Sequence, residues 1–326
     1  MAEWRNGGTA VGTTRRQGNM KIVVLLGIAS AFLAAAAQGP TTSEVREMSC
    51  PKGGEAVPFG PAMSPDDSGK VYSSVLSPDR KEFYFFKKVT PGQEDYRIYR
   101  STLTSGHWGP GELLDLGGDY SDLYPALSPD GKRLIFSSYR PAPGDTSSHP
   151  NAHLWYVVRT DQGWSQPRFI RSSTYGYYHS GLTTEADGSL RYNLTTPDWR
   201  STEQFRIRWT DTAYSSPSKV PTHPAETYWR ERLGDSVYVW GVVGGPGGIA
   251  FVQVSRVGTH PRRSPAVYFV SRQRGSEWSD LAPAGGGLGE GSPNFLWFSR
   301  DSCYVHFTRD YSSFVRVPLA TAIGAH

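Results

Sequence analysis

The groups in this 326-residue chain that could support acid–base, metal or redox chemistry are eight His, 30 Asp and Glu, and two Cys. Nucleophilic catalysis wants a serine on a tight strand-to-helix turn of the form Gly-x-Ser-x-Gly. The nearest approach, His179-Ser180-Gly181, lacks the leading glycine. His149 and His153 stand four apart in a stretch rich in Pro, Ser and Asn, so the spacing does not put them on one helical face. His179 follows Tyr177 and Tyr178 just ahead of a strand. It has two readings: a hydrogen-bonded structural residue, or a general base working beside a carboxylate such as Asp122. Asp119 and Asp122 are too few to make a cation site. Gly285–Gly291 (GGGLGEG) has the glycine content of a phosphate loop but precedes a strand rather than a helix. The sequence contains no complete catalytic motif, and neither a cofactor nor a metal is expected.

The N-terminus reads as a targeting segment. Arg15, Arg16 and Lys21 form a basic flank, Ile22 to Ala37 is an apolar run, and Ala35-Ala36-Ala37 offers the small residues of a cleavage site. The expectation is a signal peptide over 1–37, with Gln38 the first mature residue, and a secreted or periplasmic protein. The run is shorter than the ~20 residues of a membrane span, so no membrane association is expected after cleavage. The segment holds Arg5, Arg15, Arg16 and Lys21 against Glu3, so most of the +4 charge of the whole chain leaves with it. A near-neutral remainder gives no electrostatic case for nucleic acid.

The elements that position any site are repeats. The chain is rich in Gly (36) and Pro (24), which punctuate short segments. Residues 123–138, LYPALSPDGKRLIFSS, read as strand, tight turn and strand, with Pro129 presetting φ, Asp130 capping the turn and Gly131 supplying a positive φ. Versions recur at 73–86, 180–194, 238–254 and 292–307, centred on Asp79, Asp187, Gly247 and Asp301, about every 50–60 residues. Third strands follow at Tyr96–Arg100, His153–Val158, Phe205–Trp209, Ala266–Val270 and Phe314–Val317. Fourth segments begin at Trp108, Trp164, Tyr214 and Trp278, and the aromatic residues there are expected to fill the space between units. Four short strands per repeat make a β-propeller blade, because one blade cannot bury both faces alone. The fold class is therefore all-β, a propeller of four-stranded blades with five repeats visible.

The Ser-Pro-Asp-Gly run at 128–131, Ser137-Ser138-Tyr139-Arg140-Pro141 and Gly163-Trp164-Ser165-Gln166-Pro167 resemble the WD-repeat-like propeller repeats of TolB-like proteins over roughly residues 57–318. The Asp-Ile-Tyr that often opens the third strand in that family is missing here, with Ile98-Tyr99 its closest remnant. The resemblance implies five or six blades. TolB's separate α/β domain has no room in residues 38–70, so the Tol partners are not implied. The expected organisation is signal peptide 1–37, linker 38–56 and propeller 57–320, with Ser64-Pro65-Asp66 a partial echo of the turn.

Propellers take ligands where the first strand of each blade opens on the axis. That register nominates Asp122, Tyr124, Tyr178, His179, Trp229, Arg230 and Asn294 as rim residues, a mixture suited to a polar ligand such as a glycan, peptide or protein. The expected function is an exported, monomeric, non-catalytic binding or scaffold propeller. The alternative is a polysaccharide lyase or glycan hydrolase using His179 and Asp122.

The fifth unit lacks a fourth strand, and an unpaired edge must be covered. The extended Val57–Pro61 segment is expected to pair with Phe314–Pro318. Closure would bring Cys50 towards Cys303, giving either a disulfide or a free buried Cys303 that alternates with Val305 and Phe307.

Overall fold

The computed structural model describes residues 50–63, 70–89, 95–146, 151–171, 178–195, 202–234, 237–256 and 266–324. The signal peptide expected over 1–37, the linker up to 49, the Ser64-Pro65-Asp66 echo, His149 and Tyr177 lie outside the described residues.

Five antiparallel sheets form a five-bladed β-propeller. The inner strands are Val71–Leu76, Asp122–Leu127, Tyr178–Thr184, Val237–Gly245 and Pro293–Phe298 for blades 1 to 5. The second strands are Glu82–Lys88, Arg133–Ser138, Leu190–Thr195, Ile249–Arg256 and Tyr304–Arg309. The third are Tyr96–Thr104, His153–Thr160, Thr202–Ile207, Val267–Arg274 and Ser313–Pro318. In blades 1, 2 and 4 the outer strand comes in two pieces, such as His107–Trp108 and Glu112–Leu113, both paired with the third strand. The ring closes with five blades rather than six.

The recurring turn works by mutual satisfaction of side chain and backbone. Asp79 accepts the Ser77 hydroxyl at 2.5 Å and the Lys81 amide at 3.1 Å, while the Ser77 oxygen accepts the Glu82 amide at 2.8 Å. Ser128 with Asp130 and Ser299 with Asp301 repeat the pattern. A Ser two residues before an Asp thus fixes the hairpin with its own hydrogen bonds. In blade 4 the turn is Pro246–Gly248, with Gly247 at φ 68°, a conformation an L side chain adopts only under strain.

The core lies in the seams between blades. Tyr84, Phe86 and Ile98 of blade 1 meet Leu127, Leu134 and Phe136 of blade 2, and Phe251 and Val270 of blade 4 meet Val305 and Val317 of blade 5. Trp108 packs beside Phe83 and Phe59, and Trp164 beside Tyr84, as the seam-filling expectation has it. On blade 4 the packing comes from helix α1 (Pro224–Leu233), which lays Ala225 and Trp229 on Val239, Val242 and Val252. A helix is not among the elements that the repeat pattern predicts.

Val57–Pro58 is the outermost strand of blade 5. Val57 lies opposite Arg316 and Pro58 opposite Val315, and the Phe59 amide donates to the Phe314 carbonyl at 2.9 Å. Cys50 and Cys303 are joined by a disulfide across 253 residues. Thr321, in the short α2 (Leu319–Ala322), exchanges hydrogen bonds with the backbone of Gly54 at 3.0 and 2.9 Å.

Candidate functional site

Each inner strand runs from the opposite face into the turn that joins it to its second strand, so all five begin on one face. The hairpins joining second to third strands lie there too. Connections on the turn face are short (77–81, 128–132, 185–189), and those between second and third strands on the other face vary from three residues (310–312) to fourteen (139–152). Longer connections on one face of a rigid scaffold are where binding residues concentrate.

The inner strands are irregular close to where they begin. Register shifts fall between Val71 and Ser74, Leu123 and Ala126, Ser180 and Thr183, Val239 and Gly241, and Asn294 and Trp297. Tyr124 sits in the second of these bulges at φ 52° and Phe295 in the fifth at φ 54°, while Gly181 takes the same position in blade 3 at φ 57°. Left-handed backbone costs a bulky L-residue about 1–3 kcal/mol, and it persists where surrounding packing imposes it. Of the eight described non-glycine residues with positive φ, Tyr124, Phe295 and Tyr311 are aromatic, and their rings meet.

Tyr124 and Phe295, from blades 2 and 5, lie 6.0 Å apart between ring centroids. Tyr72 of blade 1 sits 6.1 Å from Phe295, 5.2 Å from Tyr311 and 5.5 Å from Tyr96. Phe86 is fully buried beneath them, stacked on Tyr72 at 5.1 Å and 4.9 Å from Tyr124. The other five rings are half-buried, so they form a partly exposed aromatic floor where blades 5, 1 and 2 meet the axis. The floor is pinned from below: the Thr308 hydroxyl donates to the Tyr72 carbonyl at 2.8 Å, and the Val71 amide to the Tyr311 carbonyl at 2.9 Å. The ammonium groups of Lys70 and Lys88 approach the edge of this floor, 5.5 Å from the centre of the Tyr311 ring and 5.7 Å from that of Tyr96 respectively.

The residues nominated from the sequence divide between this floor and the interior. Tyr124 is part of the floor. Asn294 is half-buried beside it, its amide donating to the Ser292 carbonyl at 2.9 Å. The backbone of Tyr178 opens the inner strand of blade 3. His179 is not a rim group: it is 2% exposed, with its ring 5.4 Å from Tyr192. Burial, reinforced by nearby His153, pushes its pKa down to about 4. Asp122 is 5% exposed, and both its oxygens accept from Arg140 Nη2 at 3.1 Å. Burial raises its pKa against the pull of Arg140. Arg140 also donates to Ser138 Oγ and the Leu116 carbonyl, which makes the pair a structural tie. Arg140 thus holds the Asp122 carboxylate, and the His179 ring lies beside Tyr192.

Trp229 and Arg230 stand on helix α1 rather than on a strand-entry loop. Trp229, on the face of α1 that packs on blade 4, is 8% exposed, and Arg230 pairs with Glu226 one turn back at 2.8 Å. His153 is buried at the start of the third strand of blade 2. Asp119 is paired with Arg97. Among the described residues no group of three or more His, Cys, Asp or Glu is placed to hold a metal, and no helix is long and apolar enough to cross a membrane. The sequence reading did not single out Tyr72, Tyr96, Phe295 or Tyr311. One signal was present: Tyr124 and Phe295 both stand six residues before the turn aspartate of their repeats.

No protein-family profile matches the chain, and no curated protein matches it. Among solved structures it is similar to a protein assigned as TolB from Agrobacterium tumefaciens, at 16% identity and a TM-score of 0.42 over 76% of this chain and 80% of that one. It is also similar to a gluconolactonase from Xanthomonas campestris, at 13% identity and a TM-score of 0.39 over 82% and 98%. A periplasmic gluconolactonase from Pseudomonas aeruginosa gives 16% and 0.35 over 74% and 61%. These likenesses are of architecture alone.

Proposed function

We propose that this chain is an exported, non-catalytic binding propeller that takes a polar ligand on the face where its inner strands begin. The observation that carries this is the partly exposed aromatic floor built by blades 5, 1 and 2, three of whose five rings (Tyr124, Phe295 and Tyr311) stand on left-handed backbone. Side chains held in costly conformations by a rigid scaffold are a mark of a binding surface. Two features support export: the basic, apolar and small-residue pattern over residues 15–37, and the Cys50–Cys303 disulfide, a bond that persists in oxidising compartments. The enzyme reading needs a free carboxylate beside His179, and Asp122 is held by Arg140. The test is a ligand screen of residues 38–326 against oligosaccharides and peptides, with chromatography of every bound ligand after incubation. Intact recovery supports the proposal; cleaved ligand would overturn its non-catalytic part.

A further inference from the structure

We infer that the ligand of this aromatic floor is a saccharide. The inference rests on the binding reading above and narrows it to one chemical class. The floor presents Tyr72, Tyr96, Tyr124 and Tyr311 with Phe295, and they are half-buried. Four of these five rings combine an apolar face with a hydroxyl at the edge. A pyranose has the matching shape, with a C–H face that lies on an aromatic ring and hydroxyls around its rim that reach phenol oxygens. Tyr124 and Phe295 lie 6.0 Å apart with their planes inclined at 60°, and Tyr72 and Tyr311 5.2 Å apart at 57°, so the cluster combines ring faces with ring edges rather than forming one flat platform.

The same backbone disfavours an added peptide strand. Strand addition needs a regular row of amides and carbonyls along an open edge. Every inner strand carries a register shift near its start, and those of blades 2 and 5 turn left-handed at Tyr124 and Phe295. A bulge interrupts the row.

Isothermal titration with cellohexaose, maltohexaose and chitohexaose, run beside a panel of unstructured decapeptides, tests the inference. The variants are Tyr124→Gly and Phe295→Gly, because glycine keeps the left-handed backbone while removing the ring. Leu113→Ala, on an exposed outer strand, serves as the control. The expected result is saccharide binding weakened at least about tenfold by either glycine variant and unchanged by Leu113→Ala. Saccharide binding that ignores both glycine variants, or no binding to any of the three, overturns the inference. Peptide binding lost in the glycine variants would overturn the saccharide class and leave the binding face standing. If no ligand responds to these variants, both readings fall.

Discussion

Replacing Cys50 with Ser should cost this fold a large part of its stability without rearranging it. The disulfide closes a loop with a sequence separation of 253 residues. In the chain-entropy picture such a loop contributes on the order of 5 kcal/mol, with about 2–4 kcal/mol usual for native bonds. The native contacts at the closure do not depend on the bond: Val57–Pro58 still pairs with blade 5, the Phe59 amide still reaches the Phe314 carbonyl, and Thr321 still holds Gly54. Cys50 is exposed, so serine fits its site, and Cys303, at 6% exposure, behaves as a small apolar residue when reduced. The loss should therefore come mainly through a more expanded unfolded chain, with a lower urea midpoint and a steeper dependence on denaturant. Urea unfolding of the wild type and Cys50→Ser, each with and without reductant, gives the comparison. Reductant should bring the wild type down to the variant and leave the variant unmoved. Coincident midpoints for all four curves would refute the closure argument.

Other expectations follow from the same contacts. Asp122→Ala should destabilise by about 3–5 kcal/mol by leaving Arg140 buried and uncompensated, and Asp122→Leu with Arg140→Met should recover most of the loss in thermal unfolding. His179 has its pKa pushed down to about 4 by burial. The unfolded chain then binds the extra proton first as pH falls from about 6.5 towards 4, and stability should drop by up to about 3 kcal/mol over that window. His179→Leu should make that slope shallower, the remainder coming from groups such as His306, whose pKa burial also pushes down to about 3, and an unchanged slope would contradict it. N-terminal sequencing of exported material should begin at or near Gln38, and recovery only of chains that retain the 15–37 segment would contradict signal cleavage.

What the sequence made legible was local. Ser128-Pro129-Asp130-Gly131 writes its hairpin in four adjacent residues, so the blade boundaries follow from reading along the chain. Val57–Pro61 could be matched to the last blade because a missing fourth strand leaves an edge to cover. Helix α1 was obscured by the strand repeat, although Pro224 at its first turn, Glu226, Arg230 and Gly234 after its end are helix signals. Trp229 and Arg230 stand on that helix, which the repeat pattern did not anticipate. The aromatic floor joins Tyr72 to Phe295 and Tyr311 across the ring closure, a convergence that no local pattern encodes. Asp122 looked like a rim group because its partner Arg140 is 18 residues away on the next stretch of chain.

The central claim is that ligand is held where the inner strands begin. Amide hydrogen exchange of the mature protein, with and without a saturating oligosaccharide from the titrations, tests it most directly. The account predicts added protection at residues 71–73, 122–124 and 294–295, with the amides of the turns at 77–81, 128–132 and 299–303 unchanged. Protection confined to those turns, or to the outer strands, would contradict it.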